Sequence, residues 1–143
     1  MSVRAFFDTN VLVYAFDKSE PEKQAVAKSL IRQFGGDGQL VVSTQVLQEL
    51  YVTLSKMGKQ TFSAEDAGEI VNDFAEFTLV QVDKTMIASA MKRHQGKAFS
   101  FWDSLIVEAA LQANCQLLFS EDMQDGRQLG ALLLQNPFKV GDK

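Results

Sequence analysis

In Val3-Arg4-Ala5-Phe6-Phe7-Asp8-Thr9-Asn10, a short apolar run rich in residues that favour extended backbone stops at an aspartate. A β-strand ending on a carboxylate is the simplest account of it. Downstream the period changes. Residues 22–34 carry Ala25, Ala27, Leu30, Ile31 and Phe34 at helical spacing, and Gly35-Gly36-Asp37-Gly38 then breaks the chain. Leu40-Val41-Val42 predicts a second strand. Ser43 or Thr44 can cap the helix that follows, with Val46, Leu47, Leu50, Tyr51 and Leu54 on its apolar stripe. Ser63-Ala64-Glu65-Asp66 matches a capping box opening another helix, residues 77–82 alternate like a strand, and residues 85–94 return to helix. Ser100-Phe101-Trp102-Asp103 is a second capping-box match, and the spacing turns Trp102, Leu105, Ile106 and Ala109 inward. Leu117-Leu118-Phe119 reads as a buried strand ending at Ser120-Glu121-Asp122. A last strand is expected at Leu132-Leu133-Leu134 or at Phe138-Lys139-Val140. Strands alternating with helices predict an α/β fold with a mainly parallel sheet covered on both faces.

The chain has 143 residues, 46% hydrophobic and 22% charged, which fits a single domain over 1–143 with a core of its own. Cys115 is the only cysteine, so no internal disulfide forms and a reducing compartment is expected; its apolar surroundings predict a buried, inert thiol. His94 is the only histidine, which excludes a multi-histidine zinc site, and the polar stretch around it predicts a surface position. No apolar stretch approaches the ~18 residues of a membrane span, and Asp8 interrupts the N-terminal one. A cytoplasmic location without membrane contact is the expectation.

The acids carry the functional signal. Asp8 and Asp122 each lie just beyond a strand, at the sheet edge where open α/β folds bind ligands. Glu49 borders an apolar stripe, and Asp103 stands in the first turn of its helix beside Leu105 and Ile106. Each has a local alternative: a helix cap for Asp8, an amphipathic border for Glu49, the capping box for Asp103, a turn for Asp122. Desolvating four carboxylates is costly unless a cation compensates them, and their convergence is what argues for a shared metal site. The net charge of −4 does not decide against a polyanionic substrate. With these four set aside, acids and bases balance at 14 each, and a bound cation inverts the local field.

Phe6-Phe7-Asp8-Thr9-Asn10-Val11-Leu12-Val13-Tyr14, Glu49 after the second strand, Ser100-Phe101-Trp102-Asp103-Ser104-Leu105-Ile106, and Phe119-Ser120-Glu121-Asp122-Met123-Gln124-Asp125-Gly126 together resemble a PIN domain, and more narrowly the VapC-type toxins of toxin–antitoxin pairs. The resemblance implies a three-layer α/β/α fold and a metal-dependent endoribonuclease using Mg²⁺ or Mn²⁺. The family's acidic quartet falls on Asp8, Glu49, Asp103 and Asp122, and its hydroxyl residue on Ser120, which could orient an acid or the attacking water. Asn10 falls where the family often has a small polar residue. Asp125 is either a further supporting acid or a turn residue. The resemblance also implies an RNA substrate, a protein antitoxin and a homodimer.

Oxygen-only donors suit Mg²⁺ and Mn²⁺, and no side-chain nucleophile is evident. Lys56, Lys59, Lys92, Arg93 and Lys97 are candidate RNA contacts. Tyr14, Phe99 and Trp102 are candidate stacking groups, although the spacing of Trp102 favours the core. Phe16, Phe34, Tyr51, Leu54, Met57 and Phe62 either fill the core or line a groove for a partner helix. Alternatives are a PIN-fold RNA-processing nuclease without antitoxin, or a non-catalytic PIN-fold binding module. A haloacid-dehalogenase-like phosphatase needs a second aspartate two residues after Asp8, where Asn10 stands.

Overall fold

A computed structural model describes residues 3–57 and 62–139. Six strands, β1 (Ala5–Phe7), β2 (Leu40–Ser43), β3 (Thr78–Val80), β4 (Leu117–Phe119), β5 (Gln128–Leu129) and β6 (Leu132–Gln135), form one sheet in the order β3-β2-β1-β4-β6-β5. All neighbouring pairs are parallel except β5–β6. Among the described residues six helices complete a three-layer α/β/α arrangement: α1 (Thr9–Tyr14), α2 (Pro21–Gly36), α3 (Thr44–Leu54), α4 (Ala64–Phe74), α5 (Lys84–Gln95) and α6 (Phe101–Gln112).

The strands are short because only their apolar residues are needed. Ala5, Phe6 and Phe7 are all fully buried, as a central parallel strand covered on both faces requires. Helix starts follow the polar caps: Ser43, Ser63, Asp83 and Ser100 each accept a backbone N–H from three residues ahead. Of the two caps expected for α3, Ser43 is the one used. The core is aromatic at its centre, where Phe7, Phe34 and Phe119 meet edge-to-face with ring centroids 5.3 to 6.0 Å apart, joining β1, α2 and β4. Cys115 is buried and its thiol is pushed up to about 12 by desolvation, as an inert core group should be.

The packing settles one expectation, overturns another and adds a strand that the sequence reading did not predict. The last parallel strand is the 132–134 run. Phe138 lies outside any strand, and Val140 lies outside the described residues. β5 had no clear periodicity in its two residues. It forms because the Gly130-Ala131 loop, with Gly130 at φ +61°, folds Leu129 back onto Leu132 as a tight hairpin. Trp102, expected inward, is 61% exposed. It occupies the first turn of α6, while Leu105, Ile106 and Ala109 in later turns are buried as expected.

Replacing a fully buried ring should cost far more than trimming an exposed side chain. Phe7→Ala is expected to lower unfolding free energy by about 3–5 kcal/mol, whereas Met91→Ala on the exposed face of α5 should change it by about 0.5 kcal/mol or less. Urea unfolding of the two proteins measures this, and similar losses in both would contradict the assigned core.

Candidate active site

The strand order places the site. The chain leaves β1 for β2 on one side and later returns to β4 on the other, so the C-terminal ends of β1 and β4 flank a crevice. The β1–β4 register pairs Phe7 with Phe119, which sets Asp8 opposite Ser120. The Asp8 backbone N–H donates to the Phe119 carbonyl at 3.0 Å, carrying the ladder one residue past the strand. Asp8 is also the N-cap of α1, so the local reading of this residue as a cap and its position at the crevice are both realised.

Asp8 is held on both oxygens. Thr9 N–H donates to Oδ1 at 2.7 Å, and the Ser120 hydroxyl donates to Oδ2 at 2.8 Å. Ser120 in turn accepts from the Asp122 N–H at 3.2 Å, which shapes the turn carrying Asp122. Asn10 works across the same gap: its Nδ2 donates to Asp122 Oδ2 at 3.1 Å, and its Oδ1 accepts from the Glu121 N–H at 3.2 Å. From α3, Glu49 accepts from the Thr9 hydroxyl at 2.6 Å and from Gln45 Nε2 at 3.2 Å. Asp103 stands at the third position of α6, where its own N–H is capped by Ser100 at 3.0 Å.

Asp8, Glu49, Asp103 and Asp122 line one cleft of about 510 Å³, together with Thr9, Asn10, Tyr14, Gln45 and Trp102. Asp8 is buried, Glu49 and Asp103 are half-buried, and Asp122 is exposed at the rim. The carboxyl of Asp8 is raised to about 6. Desolvation is the main cause, resisted by the Ser120 and Thr9 hydrogen bonds and reinforced by the charges of Glu49 and Asp103. Asp103 is raised too, by desolvation first and then by Asp122 and Glu49. The four acids line the cleft together with a fifth, Asp17, which sequence reading missed, and no basic side chain lines it among the described residues. Oxygen donors in mutual repulsion fit a hard divalent cation. As placed, no three of them among the described residues close around one point.

Other expectations separate here. Tyr14 and Trp102 line the cleft, but Phe99 is buried beneath the Arg127 guanidinium, 5.1 Å from its ring. Lys56, Lys92 and Lys97 are exposed but do not line the cleft. Arg93 pairs with Glu108 at 2.6 Å, and Lys59 lies outside the described residues. Asp125 accepts from the Asn136 N–H and pairs with Lys139, so it is the turn residue. Phe34 and Leu54 are core, and Phe16 packs edge-to-face on Phe62. Tyr51 alone of that set is exposed. Sequence reading missed Thr9 and Gln45. Gln45, one helical turn before Glu49, carried the available signal. It also missed the trio in which Lys23 and Tyr14 both donate to Glu121; against desolvation, these hydrogen bonds hold the Glu121 carboxyl below its usual range.

The sequence profile of the PIN domain matches residues 5–124. None of the curated proteins matches this sequence. Similar solved structures include a toxin–antitoxin complex from Klebsiella pneumoniae, at TM-score 0.70 and 17% identity, covering 95% of this chain and 99% of that one. VapBC2 from Rickettsia felis, bound to a DNA fragment from its promoter, has TM-score 0.62 and 19% identity over 92% and 97% of the two chains. VapC20 from Mycobacterium tuberculosis, a sarcin–ricin-loop-cleaving toxin, has TM-score 0.61 and 17% identity over 85% and 90%. At these identities the likeness is one of fold.

The raised carboxyl of Asp8 makes a signed prediction for the metal-free protein. Its folded pKa lies above the unfolded one, so the folded state holds this proton more tightly. That advantage is complete below about pH 4 and is lost as pH rises through about 6. Asp8→Asn keeps the shape and removes the titration. In EDTA, its stability relative to the parent should rise by about 2 kcal/mol between pH 4 and 7.5. A difference that does not vary with pH in denaturation curves would refute the assigned desolvation.

Proposed function

This chain belongs to the PIN-domain family, and from that premise we propose that it is a divalent-metal-dependent endoribonuclease, the toxin of a toxin–antitoxin pair. Asp8, Glu49, Asp103 and Asp122 would hold Mg²⁺ or Mn²⁺. The observation that carries this reading is the convergence of four acids, drawn from four distant segments, on one cleft at the sheet's C-terminal edge. When bound, such an ion lowers the pKa of a water and offsets charge developing on a phosphate.

The chain's own groups have separable tasks. Ser120 holds Asp8 Oδ2 and, through the Asp122 N–H, ties the rim acid to the buried one. Thr9 and Gln45 grip Glu49 from two sides, and Asn10 fixes Asp122. Burial of Asp8 restricts water at the floor of the cleft. Trp102 lines the wall with an exposed ring suited to stacking unpaired bases of single-stranded or looped RNA, whereas the Tyr14 ring is packed by Lys23 and Phe138. The same proposal includes a protein antitoxin, a homodimer and a cytoplasmic location. The similar solved structure from Klebsiella pneumoniae, a toxin–antitoxin complex, supports the antitoxin. Among the described residues no helix is long and apolar enough to cross a membrane.

RNA cleavage by the purified protein should require Mg²⁺ or Mn²⁺ and stop on chelation. Asp8→Asn and Asp103→Asn should each lower kcat/KM by about a hundredfold while leaving the fold intact by circular dichroism. Full cleavage by folded Asp8→Asn would reject the site. Expression in growing cells separates toxin from processing enzyme: arrest that depends on Asp8 and is relieved by a neighbouring small gene supports the toxin. Harmless expression of active enzyme supports RNA processing.

A further inference from the structure

Gln45 is the second residue of α3 and 7% exposed, and it lines the acid cleft. Its Nε2 lies 3.2 Å from Glu49 Oε2 and 3.4 Å from the Trp102 carbonyl oxygen, so both amide hydrogens have an acceptor. The opposite amide orientation would set oxygen against a carboxylate and a carbonyl, so the network fixes which way the group points. That leaves Gln45 Oε1 as the one buried side-chain polar atom without a hydrogen-bond partner among the described residues. An unsatisfied buried acceptor works against folding, and it calls for a compensating role. Gln45 stands on the Glu49 side of α3, away from its fully buried apolar stripe of Val46, Leu50 and Leu54.

The two acceptors that Gln45 engages belong to opposite walls. Glu49 comes from α3, and the Trp102 carbonyl belongs to the residue just before Asp103 at the start of α6. Glu49 Oε1 is already taken by Thr9, so Gln45 completes the grip on that carboxylate. We infer that Gln45 is a positioning residue: its amide ties the Glu49 carboxylate to the backbone at the start of α6 and so holds it against the wall that carries Asp103. This rests on the proposed metal-dependent reading of the cleft.

The test compares the parent with Gln45→Met and Gln45→Leu, both of which keep bulk and remove the amide. Three quantities are read: Tm in EDTA, the Mn²⁺ concentration giving half of the Mn²⁺-induced Tm shift, and kcat and KM on RNA. Tm in EDTA should hold or rise by about 2–4 °C. The half-effective Mn²⁺ concentration should rise about tenfold and kcat should fall about tenfold, with KM for RNA little changed. Unchanged Mn²⁺ response and kcat would overturn the inference. So would a fall in Tm that accounts for the lost activity, failure of both variants to fold, or a parent protein that shows no Mn²⁺-induced shift. A parent that responds to Mn²⁺ but cuts no RNA defeats the ribonuclease reading alone, and the Mn²⁺ titration still decides the role of Gln45.

Discussion

The pairing of β1 with β4 organises everything that matters in this molecule. Two strands separated by most of the chain lie side by side in parallel with Phe7 against Phe119, and both rings close on Phe34 from α2. Because the strands are parallel, their next residues leave the sheet at the same edge. The Ser120 hydroxyl therefore meets Asp8 at 2.8 Å without any loop having to reach across. A one-residue slip would exchange faces along the whole strand and remove the Phe7 and Phe119 rings from their shared core. Core packing and site assembly are thus the same constraint, set by three residues of each strand.

The site itself is held against its own electrostatics. Burial of Asp8 and the facing charges of Glu49 and Asp103 oppose ionisation, while four neutral donors (Thr9, Asn10, Gln45 and Ser120) keep carboxylates in place without cancelling their charge. A basic residue among them would have been more stabilising and would have competed with a cation. The nearby Glu121 illustrates the contrast. It adjoins Asp122, yet Lys23 and Tyr14 bind it and withdraw it from the acidic group. Charge is left uncompensated at the cleft and neutralised one residue away.

Much of this was legible from residue order. Strand ends are marked where an apolar run meets a polar residue, which located Asp8 and Asp122. Capping boxes marked α4 and α6, and so placed Asp103 in a first turn. Periodicity, however, reports which way a helix face points and not whether anything lies over it. Trp102 has core spacing but stands in the first turn of α6 at the cleft wall, and it is exposed. Lys92 and Arg93 form a basic stretch in sequence, but Arg93 is spent on Glu108 and both line a different depression. Gln45 was hidden because its role depends on the backbone of Trp102, a contact between residues 57 positions apart. Side-chain-to-backbone contacts of that kind leave no trace in residue type.

The partner of Asp8 lies 112 residues further along the chain, and so does that of Asn10. A protein is made from its N-terminus, so Asp8 and Glu49 leave the ribosome before the strand that shapes their crevice has been translated. Until β4 slots in beside β1, the acids belong to an open edge with neither Ser120 nor Asp122 in place. A nascent chain that stops short of β4 therefore lacks the assembled cleft. The topology makes assembly of the cleft conditional on β4.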